Sequence, residues 1–326
     1  MSDLTIRPAD AADREQIIRL LAASLGRDDD ERFVALFAWK HDENVFGVSP
    51  AWVADDDGVL AAIRVFMRWE FREGSRIRRA VRAVDTATHP DYQGRGLFTR
   101  LTRHGLAAVA EEGVEFVFNT PNDQSRPGYL KMGWTTVGRL PVAVRPRSAP
   151  AVVRMARARV PAERWSLPTT AGESAADVFA DSTSVTAALI GQHEASRSLR
   201  TSRSADFFRW RYGTDLLHYR VIAARGGVER GFVVFRLRRR GEATEAAVGD
   251  IVVPDGSRRT ARELLRAVRR ASRADYVITL GARPGGFVPF PRQGPILTWR
   301  SASDDAPASP PNLADLDLTL GDIELF

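Results

Sequence analysis

A strand–turn–strand segment in the first quarter of the chain constrains its fold most. Residues 51–56 and 59–71 have the composition of strands, and Asp57-Gly58 between them is a strong signal for the tight turn of an antiparallel hairpin. Apolar residues with helical spacing precede this hairpin, and strand and helix signals alternate after it as far as residue 146. The order β-α-α-β-β-β-α-β-α-β therefore predicts a mixed α/β fold, with a central mixed sheet flanked by helices rather than a pure βαβ repeat.

The second half of the chain weakly repeats the first. Each half has an aromatic helix end in which tryptophan precedes a basic residue, Trp39-Lys40 and Trp210-Arg211. A strand, a glycine-containing turn and a second strand follow in both halves, and then a further strand, a helix and a strand. Chance similarity between short amphipathic segments is the alternative explanation, but the shared order favours a duplicated domain.

A junction between the two copies is expected in the middle of the chain. Residues 145–165 contain several prolines and arginines and few strand signals. We therefore predict a first domain over residues 1–146, a linker over 147–165 and a second domain over 166–326. At 326 residues the chain is long enough for each domain to have its own core.

The composition narrows the class of protein. With 44% hydrophobic and 27% charged residues the chain is typical of globular proteins, and no apolar run approaches membrane-spanning length. The absence of cysteine excludes disulfides and thiolate metal sites and fits a reducing compartment. Because the first residues include acids and lack an apolar core, we expect no signal peptide. With no membrane-length apolar run and no cysteine, we expect no membrane partner and a cytoplasmic location.

The positive charge of the chain raises the question of a nucleic-acid partner. The formal net charge is +6, and because lysine occurs only at Lys40 and Lys131, nearly all of the basic residues are arginines. Such a surface attracts anionic ligands, including a phosphorylated cofactor. A nucleic-acid-binding protein that uses the arginine-rich linker and second domain remains an alternative, but residues 145–159 lack the interleaved aromatic and basic residues that would favour it.

The segment DYQGRGLF, residues 91–98, lies between a predicted strand and a predicted helix. Gly94 and Gly96 permit positive φ angles and close approach of a ligand to the backbone. A helix that begins directly afterwards offers unpaired N–H groups and the positive end of its dipole, and Arg95 adds charge, so the segment can bind a pyrophosphate. The pattern is neither a P-loop nor a Rossmann fingerprint, and an ordinary turn is the alternative.

Two motifs in this half resemble those of one enzyme superfamily. Gln93-Gly94-Arg95-Gly96-Leu97-Phe98 is similar to the acyl-CoA-binding loop Gln/Arg-x-x-Gly-x-Gly/Ala of the GNAT acetyltransferases, with Phe98 in place of the usual small residue. The second motif, Asn-x-x-Ala/Ser-x-x-x-Tyr-x-x-x-Gly-Phe, is matched by Asn122, Ser125, Tyr129, Gly133 and Trp134. The resemblance covers residues 4–146. The layout of the two halves also resembles the tandem GNAT domains of the enhanced-intracellular-survival acetyltransferases, without their additional C-terminal domain.

The resemblance implies two GNAT-like domains in tandem, the first catalytic and the second degenerate. It implies an N-acetyltransferase that uses acetyl-CoA or another acyl-CoA as co-substrate. The residues that it assigns to the cofactor are Thr86, Ala87, Thr88, Gln93, Gly94, Arg95, Gly96, Leu97, Phe98, Asn122 and Ser125. The strand residues pair with pantetheine, the loop amides bind the pyrophosphate, and Asn122 contacts the cofactor arm. Tyr129 protonates the departing CoA thiolate, which suits a phenol with a pKa of about 10; an aromatic residue that only packs the helix is the alternative.

The base that deprotonates the attacking amine is left open. Asp85 lies on the predicted cofactor strand and acts directly or through water, or it pairs with a nearby arginine. The terminal carboxylate of Phe326 is a second candidate, although residues 316–326 also have the pattern of an edge strand. His41, His89 and His104 are isolated in the sequence and are expected to face solvent; their spacing does not suggest a metal site, so no metal is expected.

The acceptor is expected to be a small-molecule amine. Residues 41–43 and 55–57 make this end of the domain acidic, which suits a cationic group. A non-catalytic acyl-CoA-binding or sensor protein is the alternative from another functional class. Homo-oligomer formation stays open.

Overall fold

The computed structural model of the chain describes residues 4–24, 30–190, 198–281, 285–304 and 308–323. The described residues divide into two compact units. The first consists of those within Met1–Arg72, Arg76–Gly138 and Ile296–Asn312, and the second of those within Glu73–Ser75, Arg139–Pro295 and Leu313–Phe326.

Strands and helices alternate through both units. The strands are β1 Thr5–Pro8, β2 Ala51–Asp56, β3 Val59–Glu73, β4 Arg76–Thr88, β5 Phe116–Asn119, β6 Thr135–Arg139, β7 Val142–Pro146, β8 Glu173–Ser174, β9 Leu199–Thr201, β10 Arg220–Ala224, β11 Gly227–Arg240, β12 Ala243–Val252, β13 Tyr276–Leu280, β14 Val288–Pro289, β15 Ile296–Ser301 and β16 Leu316–Asp317. The helices are α1 Arg14–Ser24, α2 Arg32–His41, α3 Leu97–Glu111, α4 Arg126–Lys131, α5 Ala149–Arg157, α6 Ala175–Ala180, α7 Ser182–Ile190, α8 Ala205–Tyr212, α9 Arg258–Ser272 and α10 Leu320–Ile323.

The sheet of the first unit has the strand order β1-β2-β3-β4-β5-β15-β6. The predicted hairpin is confirmed: β2 and β3 are antiparallel, Asp56 pairs with Val59, and Asp57 and Gly58 both have positive φ angles of 49° and 90°. Positive φ at both central residues gives the turn the twist that matches its strands. Since β4 and β5 run parallel, the sheet is mixed, and the predicted α/β class is confirmed.

The two faces of this sheet bury different helices. Val53, Ile63 and Ala87 belong to a cluster with apolar residues of α1 and α2. Ala62 and Phe66 belong to a separate cluster with α3 and with Tyr129 of α4. Because successive strand residues point to opposite faces, the β3 neighbours Ala62 and Ile63 reach different clusters.

A strand from late in the sequence completes the sheet. β15 pairs antiparallel with β5, and the ring of Trp299 stacks on that of Phe116 with centroids 3.6 Å apart. The sequence predicts one continuous strand over residues 135–146, but the structure divides this segment into β6 in the first sheet and β7 in the second. Pro141 lies at the break, where its missing N–H interrupts the ladder of hydrogen bonds.

The second unit has a sheet of its own, with the strand order β14-β7-β13-β12-β11-β10-β8. β10, β11 and β12 pair antiparallel in turn, α9 follows, and β13 pairs parallel with β12. Leu264, Leu265 and Val268 of α9 pack against the apolar side chains of these strands. The order strand-strand-strand-helix-strand is that of β2, β3, β4, α3 and β5 in the first unit.

We expect the stacked pair of aromatic rings to be important for stability. Because Trp299 is 2% exposed and lies on Phe116, Trp299→Ala should lower the free energy of unfolding by about 3–5 kcal/mol. Urea denaturation followed by circular dichroism measures this change. Val59→Ala is the control, because Val59 is 53% exposed. A loss in the tryptophan variant no larger than in the control would contradict a packing role for β15.

Candidate functional site

Strands β4 and β5 separate within the sheet of the first unit. They pair in parallel only from Ala80 to Arg82, which lie opposite Phe116 to Phe118. Strand β4 continues to Thr88, and the described residues contain no pairing between β4 and β5 beyond Arg82. Asp85 has a φ angle of 41°, which is uncommon for a residue with a side chain and interrupts the regular strand. The predicted residues Thr86, Ala87 and Thr88 thus lie where β4 has left its neighbour.

The glycine loop after β4 leads directly into α3. Gly94 and Gly96 have φ angles of 75° and 71°, in the left-handed region that favours glycine. A Cβ atom at either position would meet no atom within 4 Å, so the backbone conformation and not space requires glycine here. Gly96 precedes α3, and no side chain caps that helix. The first N–H groups of α3 are therefore available to an anion.

The other loop residues divide between the surface and the core. Gln93 is exposed and Leu97 is buried among the residues of the α3 cluster. The Arg95 guanidinium donates to the carbonyl of Asp91 at 3.1 Å and lies 4.7 Å from the ring centroid of Tyr92. The Arg95 side chain thus folds back onto the preceding turn.

Phe98 packs against the helix that contains Tyr129. The rings of Phe98 and Tyr129 meet edge to face, with centroids 5.2 Å apart. A Cβ atom at Gly128 would lie 2.9 Å from the Phe98 ring. The large residue in the loop is therefore accommodated by the absence of a side chain at Gly128, a residue that the sequence analysis did not single out.

Tyr129 is buried, and its hydroxyl oxygen accepts two hydrogen bonds from one arginine. The Arg64 Nη1 and Nη2 atoms donate to it at 2.8 and 2.9 Å. Arg64 Nη1 also donates to the hydroxyl of Thr86 on β4. The structure thus brings together Thr86 and Tyr129, which were predicted, and Arg64, which was not.

Asn122 and Ser125 organise the start of α4. The Asn122 side-chain oxygen accepts hydrogen bonds from the Ser125 N–H at 2.8 Å and the Ser125 hydroxyl at 2.9 Å. The Tyr129 N–H donates to the Ser125 carbonyl at 3.2 Å, one helical turn later. The two predicted residues therefore fix the turn that places Tyr129.

Asp85 lies in a buried cluster of charged and polar side chains. Its Oδ2 atom is 2.5 Å from Lys40 Nζ and 2.8 Å from His41 Nε2, and all three side chains are at most 5% exposed. Burial lowers the pKa of His41, and the Asp85 carboxylate opposes that shift. His41 Nδ1 is buried and has no hydrogen-bond partner within the described part of the chain. The expectation that His41 faces solvent is therefore wrong, because the end of α2 packs against β4.

The sequence matches the family described as Acetyltransferase (GNAT) domain over residues 5–137. Residues 5–137 are a GNAT acetyltransferase domain. The predicted family and the predicted enzyme class, an N-acetyltransferase, are confirmed at this level. A comparison with curated protein sequences gives no match.

Solved structures similar to this chain extend beyond the GNAT domain into the second half. A conserved protein of unknown function from Enterococcus faecalis V583 covers 92% of this chain with 73% of its own length, at a TM-score of 0.66 and 12% identity. A GCN5-related N-acetyltransferase from Kribbella flavida covers 92% of this chain with 71% of its own length, at a TM-score of 0.65 and 18% identity. Eis1 from Mycobacterium abscessus covers 90% of this chain with 73% of its own length, at a TM-score of 0.54 and 17% identity. At these identities the similarity shows the fold.

The residues that sequence reasoning missed in the GNAT domain share one property. Arg64, Lys40, His41 and Gly128 all act through contacts with residues distant in the chain. Arg64 is the one with a visible signal, since it is a charged residue inside the otherwise apolar segment LAAIRVF. Of the other candidate residues, His104 is exposed and His89 is partly buried, while Phe326 lies outside the described residues.

Neither a metal-binding cluster nor a membrane-spanning helix is found among the described residues. They contain no group of three or more histidine, cysteine, aspartate or glutamate side chains that could hold a metal ion. Over the same residues, no helix has the length and apolar character needed to cross a membrane.

Proposed function

We propose that the chain transfers an acetyl group from acetyl-CoA to the primary amine of a small molecule by direct attack. The amine nitrogen forms a bond to the thioester carbon, the carbon–sulfur bond breaks, and the sulfur takes a proton from Tyr129. The observation that supports this most strongly is the position of the buried Tyr129 hydroxyl, which is linked through Arg64 to Thr86 where β4 leaves β5. An acid is thus available beside the gap between β4 and β5, which would hold the thioester.

The cofactor site in this proposal extends from the gap between β4 and β5 to the glycine loop at residues 93–98. The free edge of β4 at Thr86, Ala87 and Thr88 pairs with pantetheine, and the amides of residues 93–98 bind the pyrophosphate. The uncapped N-terminus of α3 supports the second assignment, because its N–H groups and dipole favour an anion. Asn122 and Ser125 lie at the start of α4, beside the cofactor arm.

We propose that only the first unit binds the cofactor. The counterpart of α3 in the second unit is α9, and it has a serine cap: the Ser257 hydroxyl accepts from the Thr260 N–H at 3.3 Å. A capped helix has fewer N–H groups to offer. In the proposal the second unit therefore serves in packing or in acceptor binding.

The acid role of Tyr129 is supported by its hydrogen bonds. A phenol oxygen accepts through its lone pairs and donates through a single hydrogen. Because two Arg64 donors already occupy the oxygen, the hydrogen remains for a ligand. The departing sulfur is the group that requires it.

For the base we propose Asp85 acting through His41. With Asp85 ionised against Lys40, His41 Nε2 carries the hydrogen that faces the carboxylate, and Nδ1 has a lone pair that can accept the amine proton. Asp85 contacts Lys40 and His41 of α2, and Ala87 packs with α1 and α2, whereas Tyr129 belongs to the cluster on the α3 side. Proton removal from the amine and proton delivery to the sulfur are thus separated by one strand.

Removal of the Tyr129 hydroxyl tests whether Tyr129 is the general acid. Tyr129→Phe should lower kcat about 100-fold or more, since general acid catalysis contributes about 10²–10⁴. The CoA dissociation constant, measured by calorimetry, should be unchanged. Tyr276→Phe is the control, because it removes a buried hydroxyl that donates to Glu245 at 2.7 Å in the second unit. Unchanged turnover in Tyr129→Phe would remove Tyr129 from the acid role.

Replacement of the loop glycines tests the pyrophosphate site. Gly94→Val and Gly96→Val should each weaken CoA binding about tenfold or more, because a side chain strains the left-handed backbone by about 1–3 kcal/mol. Gly113→Val is the control, since Gly113 has a φ angle of 83° at the other end of α3. Retained affinity in both loop variants would contradict the loop assignment.

Substitution of Asp85 and His41 tests whether this pair is the base that deprotonates the amine. Asp85→Asn and His41→Gln should each lower kcat about 100-fold or more and leave CoA affinity unchanged. Asp250→Asn is the matched control, because Asp250 is a buried acid of the second unit that pairs with Arg203 at 3.0 Å. If the two variants lose stability in urea but keep their turnover per folded molecule, the cluster is structural and not a base.

A CoA-release assay with a broad panel of amines tests the proposed function as a whole. The panel includes amino sugars, aminoglycosides, peptide amines and protein lysines, and the assay detects free thiol. Release with at least one amine supports the enzyme. CoA binding without thiol release for any amine would favour the alternative, an acyl-CoA-binding protein without catalysis.

A further inference from the structure

Arg64 is a buried cation without an anion beside it. It is fully buried, and within the described residues no carboxylate lies within ion-pair distance of its guanidinium. Its Nε atom has no hydrogen-bond partner among those residues. An isolated charge is costly to bury, so a structural role alone does not account for arginine at this position.

Neutral groups surround the Arg64 charge. The hydroxyl groups of Tyr129 and Thr86 accept its hydrogen bonds. Three aromatic rings face it, with their centroids 4.8 Å from the guanidinium carbon for Phe66, 5.3 Å for Tyr129 and 5.7 Å for Phe98. Cation–π attraction offsets part of the cost of burial but leaves the charge unneutralised. The site is therefore prepared for a negative charge that appears during the reaction.

We propose that Arg64 is the positioning residue that makes Tyr129 an effective acid, an inference that rests on the proposed function. When the carbon–sulfur bond breaks, its electron pair goes to sulfur, and sulfur takes the phenol proton. The negative charge then lies on the Tyr129 oxygen, where two guanidinium N–H groups already donate at 2.8 and 2.9 Å. Charge-assisted hydrogen bonds of this kind are about twice as strong as neutral ones. Solvent returns a proton to the phenolate after CoA leaves.

The same contacts of Arg64 also fix the position of Tyr129 relative to β4. Arg64 joins Tyr129 of α4 to Thr86 of β4, and the Thr86 hydroxyl donates in turn to the Val84 carbonyl at 3.4 Å. The phenol oxygen is therefore tied to the strand that the proposed function assigns to pantetheine. A change at Arg64 should act on the chemical step and not on cofactor affinity.

A double-mutant cycle tests the inference. Arg64→Met, Tyr129→Phe and the combined variant are compared by kcat, with CoA affinity and urea stability measured for each. Arg64→Met should lower kcat about 100-fold, and the combined variant should match Tyr129→Phe within about threefold, because both changes remove one function. Losses that multiply would overturn the proposal, since Arg64 would then act independently of Tyr129.

Two further variants keep the test decisive. If Arg64→Met does not fold, Arg64→Lys takes its place in the cycle: it keeps the charge but loses the paired donors, and its kcat should be intermediate. Arg236→Lys is the matched control, because Arg236 is a fully buried arginine of the second unit that donates to the Arg164 carbonyl at 2.9 Å, and its kcat should be unchanged.

The cycle also distinguishes failure of the inference from failure of the proposed function. Wild-type turnover in Tyr129→Phe would refute the acid on which the inference depends. Impaired Tyr129→Phe combined with multiplicative losses would refute the role of Arg64 alone. Wild-type turnover in both Arg64→Met and Arg64→Lys would also refute it.

Discussion

The arrangement of the first unit depends on the early separation of β4 from β5. The two strands pair over three residues, and within the described residues β4 then continues toward the glycine loop without β5. Within the described residues this leaves β4 without β5 along one edge, and the positive φ angle of Asp85 changes the side to which its residues point: Val81 and Ala83 lie in the α3 cluster, whereas Ala87 lies in the cluster of α1 and α2. Thr86 therefore reaches the side of α3 and α4, while its neighbour Asp85 reaches the side of α1 and α2. Asp85 lies on this strand, His41 contacts Asp85, and Tyr129 is linked to the strand through Arg64.

The side of β4 that faces α3 contains one buried positive charge. Arg64 contributes the charge, and aromatic rings rather than carboxylates surround it. Phe98, which departs from the usual small residue of the loop, is one of these rings and occupies the space beside Gly128. The unusual loop residue and the buried arginine belong to the same environment.

The second unit repeats the order of elements of the first but differs at the corresponding positions. Trp210-Arg211-Tyr212 ends α8 as Trp39-Lys40-His41 ends α2, and Tyr212 donates to Asp250 on β12 at 2.5 Å. Burial raises the pKa of Tyr212 well above its usual value. The link between helix end and strand acid is therefore present in both units, whereas the imidazole occurs in the first alone. This difference fits the proposal of one catalytic and one degenerate domain.

The sequence by itself determined the features that depend on neighbouring residues. Asp57-Gly58 predicted the hairpin, and the glycine pair predicted a loop with positive φ angles before a helix. Only the tertiary structure decided which buried side chains meet. Arg64 and Tyr129 are 65 positions apart, His41 and Asp85 are 44 apart, and β15 joins the first sheet from residue 296 onward. The reason is that local backbone preferences are set by adjacent residues, whereas the partner of a buried charge depends on strand order, register and the face of the sheet.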